Sequence, residues 1–131
     1  MPFFATGQEV GYHTAMDVRF VEGAFTEIGP AVVWMRMRVP LVAGEPTSPL
    51  ARLLVAADAG NGVSATLDYR RFVFINTELT VHLLREPDGE WVCLDAVTRL
   101  GAPGLGLAES VLSDERGRIG RGAQTLLVRP R

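Results

Sequence analysis

Polar and apolar positions alternate along residues 12–20: Thr14, Met16, Val18 and Phe20 share one side, Asp17 and Arg19 the other, the period of a half-buried strand. Over residues 31–39 the alternation is cleaner, with Val33, Met35, Met37 and Val39 opposed to Trp34, Arg36 and Arg38, and Pro40 ends it. The period then changes. Thr47 or Ser48 can serve as N-cap before Pro49, which needs no amide partner at the first helical position. Residues 50–59 that follow are apolar apart from Arg52 and Asp58. A helix apolar on all sides is expected to be wrapped by the rest of the domain. Gly60-Asn61-Gly62, tolerant of positive φ, is expected to stop it. Residues 66–76 then read as extended with imperfect alternation, and residues 79–84 as a further run. Pro87 to Glu90 make a tight turn into residues 91–100, followed by strands over 105–112 and 118–128 with a turn at 114–117 between them.

Two strands, one central helix and about four antiparallel strands form an α+β pattern. One helix clasped by a curved antiparallel sheet is the hotdog architecture, expected here as a single domain over residues 1–131. A helix covers only one face of such a sheet and leaves edge strands open, so a homodimer is expected.

Composition narrows the partners. The chain has 131 residues, 13 basic against 15 acidic side chains and a net charge of -2, with no basic block. Nucleic acid and an anionic membrane are therefore disfavoured as partners. All the cations are arginine, which excludes Schiff-base chemistry on a lysine of this chain. Cys93 is the lone cysteine, and the two histidines, His13 and His82, lie far apart, so neither an internal disulfide nor metal-ligand spacing is present. Met1-Pro2-Phe3-Phe4 lacks the pattern of a secretory signal, and no apolar run approaches the roughly 20 residues that span a bilayer. A reducing cytoplasm is the expected location. No Gly-x-Ser-x-Gly elbow occurs, which disfavours an α/β-type serine hydrolase. Gly104 to Gly106 and Gly117 to Gly122 lack the Lys-Ser/Thr of a phosphate loop and read as bends in a curved sheet.

Several stretches, taken in order, resemble the thioesterase-like superfamily that includes the acyl-CoA thioesterase II, or TesB-like, family. They are residues 40–46 leading into 48–62, then 74–83, 89–99, 104–114 and 120–128. The resemblance covers about residues 11–129 and points to the C-terminal of the two hotdog units that such proteins usually carry. It implies hydrolysis of an acyl-CoA by a water held between an Asp on the central helix, a Thr or Ser near the next strand and a Gln on the last strand. The matching positions are Asp58, Thr66 and Gln124. The chemistry it implies needs no cofactor and takes acyl-CoA as partner. Two departures stand out. The stretch from Asp58 to Thr66 is short, and Asp68-Tyr69-Arg70-Arg71 replaces the family's His-containing segment. A hotdog hydratase would want a His about five residues after the Asp, where Val63 stands.

The residue chemistry is compatible with these roles. Asp58 falls in the last turn of the helix, where the macrodipole disfavours a carboxylate. On a helical projection it shares a side with Leu54 and Ala51, apolar surroundings that should raise its pKa and suit a general base. Capping the Gly60-Asn61-Gly62 turn is its alternative role. Gln124 can donate to a water or oxyanion, its alternative being an exposed strand position. Thr66 can orient the same water, or simply begin a strand. A non-catalytic acyl-binding or pairing module stays open as the competing function.

Overall fold

The computed structural model describes residues 7–131, and the reading of Met1 to Phe4 lies outside them. Tyr12–Ala15 is a single helical turn, α1, and Met16–Glu22 is strand β1. The strand expected from residue 12 thus begins at Met16. Thr14 Oγ1 donates to the Gly11 carbonyl at 2.9 Å and accepts from the Gly11 N–H at 3.0 Å, a local pairing that winds the preceding residues into a turn. β1 pairs antiparallel with β2, Ala31–Met37, which ends two residues earlier than its alternation suggested and leaves Val39 exposed.

Ser48 caps helix α2, Pro49–Ala57, by accepting the Ala51 N–H at 3.1 Å, with Pro49 at the first position. Thr47 takes the Leu41 N–H instead. Two expectations for this region are corrected. α2 is not wrapped on every side: Leu53, Ala56 and Ala57 are buried, whereas Leu50 and Leu54 are 39% and 41% exposed, because the sheet curls against one stripe only. Nor do Gly60-Asn61-Gly62 stop the helix through positive φ. None of them has it, and after a kink at Asp58 and Ala59, both right-handed, Gly60–Val63 forms a further turn, α3.

An irregular stretch leads to β3, Phe72–Asn76, a strand shorter than the extended run expected over residues 66–76. Then come β4, Thr80–Leu83, β5, Val92–Leu100, β6, Leu105–Asp114, and the long β7, Gly117–Pro130. The strands pair antiparallel in the order β1-β2-β5-β6-β7-β3, and β4 lies beside the earlier half of β7 while β3 lies beside its later half. This curled sheet around a central helix is the hotdog fold.

Leu53, Ala56 and Val63 pack on a concave face of Val33, Met35, Val92, Leu94, Leu112 and Ile119. Burying each larger aliphatic side chain there contributes roughly 1.5–3 kcal/mol. Register then shapes the floor under α3. Ala96 opposes Ser110, Ser110 opposes Gly122 and Ala108 opposes Gln124, so small residues surround one large amide. Ser64 Oγ donates to the Gly60 carbonyl at 2.7 Å, and the Thr98 hydroxyl, 2.8 Å away, donates to Ser64 in turn. These buried bonds fasten α3 to β5 and pair both hydroxyls.

Candidate active site

Asp58 stands at the C-cap of α2, where a carboxylate is disfavoured by a few tenths to about 1 kcal/mol. Two side-chain amides offset that cost. Asn76 Nδ2, at the end of β3, and Gln124 Nε2, on the inner face of β7, each donate to Asp58 Oδ1 at 3.2 Å. Gln124 Nε2 also donates to the Asp58 carbonyl at 3.1 Å, and Gln124 Oε1 accepts the Asn61 N–H at 3.1 Å. One amide therefore holds both sides of the kink between α2 and α3. Gln124 is 2% exposed, because Gly122, Gln124 and Leu126 alternate inward along β7, so it is not the surface strand residue of the alternative reading.

Asn76 reaches this point because β7 changes partner here. Thr77 N–H donates to the Thr125 carbonyl at 2.9 Å, and Glu78 Oε1 accepts the Thr125 N–H at 2.7 Å. The Glu78 carboxylate thereby takes a strand donor at the junction between β3 and β4. That bond, with the hydroxyl of Thr80 adding to it, holds the Glu78 carboxyl below its usual range.

Asp58 is exposed at the edge of a cleft of about 370 Å³, lined among others by Val10, Tyr12, His13, Phe25 and Asn61. Val10 and Phe25 line the same cleft, whereas Leu54 and Ala51, the neighbours expected from the helical projection, do not, and amides meet Asp58 from the sheet side. The Tyr12 hydroxyl donates to the Val55 carbonyl at 2.9 Å and so pins α1 onto α2 one turn before Asp58. Burial of the phenol, and after it the nearby Asp58 charge, push the Tyr12 pKa well above its ordinary value.

Of the three residues singled out in the sequence, the structure brings Asp58 and Gln124 together. Thr66 lies half-buried in the irregular stretch after α3, and among the described residues no hydrogen bond joins it to either. Asn76 was missed. Its signal is a lone amide closing the apolar run of Phe72 to Ile75, ahead of Thr77 and Glu78. His13 lines the cleft, whereas His82 is exposed on β4.

The geometry can be set beside known proteins. A family model described as the acyl-CoA thioesterase C-terminal domain matches residues 1–128. Among solved structures, the acyl-CoA thioesterase II TesB2 of Mycobacterium marinum aligns with a TM-score of 0.62 and 17% identity, covering 100% of this chain and 56% of its own. The tesB protein of Mycobacterium avium subsp. paratuberculosis aligns at 0.64 and 12%, covering 91% and 49%. A hypothetical thioesterase of Streptococcus pneumoniae, solved with coenzyme A, aligns at 0.64 and 12%, covering 92% and 95%. At these identities the likeness is one of fold, and the chain spans about half the length of the two mycobacterial proteins. A comparison with curated proteins gives no match. With the hotdog fold in place and the family model matched over nearly the whole sequence, this chain belongs to the acyl-CoA thioesterase C-terminal domain family.

Proposed function

We propose that this chain hydrolyses acyl-CoA thioesters with water as nucleophile and Asp58 as base. The observation that carries the reading is the convergence of Asp58, Asn76 and Gln124 at the edge of an open cleft. Asp58 Oδ1 accepts from both amides, while among the described residues no hydrogen bond reaches Oδ2. Oδ2 then takes a proton from a cleft water as the water oxygen attacks the thioester carbon. The carbonyl pair moves onto oxygen and returns as the C–S bond breaks. The thiolate leaves with the C–S bonding pair and takes the proton back from Asp58, so the products are a free acid and coenzyme A. On this reading Asn76 takes the role that the resemblance gave to Thr66, with its second N–H for the water or the oxyanion. Gln124 keeps Asp58 in position.

The family and the coenzyme A bound to a structural relative support this substrate class. The reading needs no cofactor, pairs the chain with a second copy of itself and keeps the cytoplasm as its setting. Thiol release from acyl-CoAs of several chain lengths tests it. Wild type is expected to turn over at least one of them, and Asp58→Asn, folded, to retain less than about a tenth of that rate because an amide cannot accept the proton. Saturable acyl-CoA binding without turnover would favour the second reading, a non-catalytic acyl-binding or pairing unit. The absence, among the described residues, of a hydrogen bond from Thr66 to Asp58 or Gln124 favours that alternative.

A further inference from the structure

The kink that presents Asp58 rests on an unusually close approach of α3 to the sheet. Gly60 is buried, and a Cβ added to it would lie 2.8 Å from Ser110 Oγ and 3.2 Å from Gln124 Oε1. The backbone angle does not call for glycine, since φ at Gly60 is not positive. What calls for it is space. Two residues later on the same turn, a Cβ at Gly62 would meet nothing within 4 Å. Glycine costs a helical position roughly 1 kcal/mol relative to alanine, so the close contact at Gly60 has to return something.

It returns the reach of Gln124. That side chain, fixed on β7, bonds the Asp58 carbonyl, Asp58 Oδ1 and the Asn61 N–H at 3.1 to 3.2 Å. The three partners sit on both sides of Gly60 in the chain. They come within range of one amide only if the backbone between them lies against the sheet, and Ser110, small and inward-facing on β6, gives it room. A methyl at Gly60 would press on the very oxygen that accepts from Asn61.

We propose that Gly60 and Ser110 are positioning residues for Asp58: their contact seats α3 on the sheet so that one Gln124 amide can hold the carboxylate and the turn after it. This inference rests on the hydrolase reading for its catalytic consequence, but not for its geometry. Two measurements separate the two. The first is acyl-CoA turnover. Gly60→Ala is expected to lower kcat roughly tenfold to a hundredfold, as misplacements of about 1 Å do, with KM changed less than about threefold. The double variant Gly60→Ala/Ser110→Ala, with the nearer obstacle removed, is expected to regain most of the loss. The second is hydrogen exchange of the Gln124 side-chain amide by NMR, which is independent of turnover. The amide should be protected in wild type and in Gly62→Ala, unprotected in Gly60→Ala, and protected again in the double variant.

Wild-type kcat and a protected amide in Gly60→Ala would overturn the proposal, and so would a double variant that regains neither. If wild type releases no thiol from any acyl-CoA while the exchange pattern appears as expected, the hydrolase reading falls and the positioning stands. Should Gly60→Ala fail to fold, the double variant decides: folded with a protected amide it supports the proposal, unfolded it overturns it.

Discussion

Gln124 gives both amide hydrogens to Asp58 and accepts one from Asn61. Replacing it with alanine leaves the Asn61 N–H and the Asp58 carbonyl without their partner and opens a void under α3. Gln124→Ala is accordingly expected to lose roughly 2–4 kcal/mol in urea unfolding, besides its loss of turnover. An exposed strand glutamine would instead change stability by no more than about 0.5 kcal/mol. Gln124→Glu should be worse, because an oxygen would then face Asp58 Oδ1 and repel it. Asn76 makes the informative contrast. It donates to Asp58 from a strand end, so Asn76→Ala should cost roughly tenfold in kcat, as removal of an oriented polar group does. Its unfolding midpoint should stay close to that of wild type, which a thermal melt would check. The choice of Gln124 was legible because an amide on the last strand matched a family pattern, though its inward direction was not. Asn76 was not, since its importance depends on β3 ending opposite a residue that precedes it by 18 positions.

Among the elements, α2 is the most local in origin. Its start follows from Ser48 and Pro49, adjacent residues with their own chemistry, and Ser48→Ala should cost about 1 kcal/mol by removing the bond to Ala51. A shift of the chemical-denaturation midpoint with an unchanged slope would measure it. α1 and α3 were not predicted, for a shared reason: each is a single turn, too short for periodicity to register. α1 is held by the bond from Tyr12 to Val55, 43 residues away, and α3 by Gln124, Ser64 and Thr98. Glycine was ambiguous in the same way. At Gly117, φ of 122° serves the turn, whereas at Gly120 a Cβ would fall on the His82 carbonyl, so there the missing side chain admits β4.

For the molecule as a whole, the clasp between Arg85 and Asp114 ties stability to pH on the acid side. Asp114, 3% exposed, accepts from both Arg85 terminal nitrogens at 2.6 and 2.8 Å and from the backbone N–H groups of Asp88 and Arg116. The Arg85 bonds first, opposed by burial and helped by the two backbone donors, hold its carboxyl far below the usual carboxylate range. A depressed folded-state pKa contributes stability above the unfolded-state value of about 4 and loses it as pH falls further. Stability should therefore decline on acidification below roughly pH 4, and Asp114→Asn should melt lower at neutral pH with a flatter acid branch, as thermal melts across pH would show. The second expectation at this scale is association. Leu50 and Leu54 stand exposed one turn apart on α2, and β1 at one end of the sheet and β3 and β4 at the other are edge strands. Sedimentation at micromolar concentration is expected to give a dimer, and a monomer there would count against the pairing.

Features that depend on neighbours a few residues apart can be read along the chain. The alternation in β2, the turn-bounded runs of β5 to β7, the capped start of α2 and the turns at Asp88-Gly89 and Asp114 to Gly117 are all of this kind. Together with the ordered motifs of a known family they were enough for the hotdog fold. Which polar groups meet follows from the folded arrangement alone. Asp58 lies 18 residues from Asn76 and 66 from Gln124, and their bonds exist because the sheet curls until the end of β3 and the middle of β7 face one kink in the helix. Hydrogen bonds form over about 3 Å, and no pattern along the chain specifies a separation that small between segments so far apart.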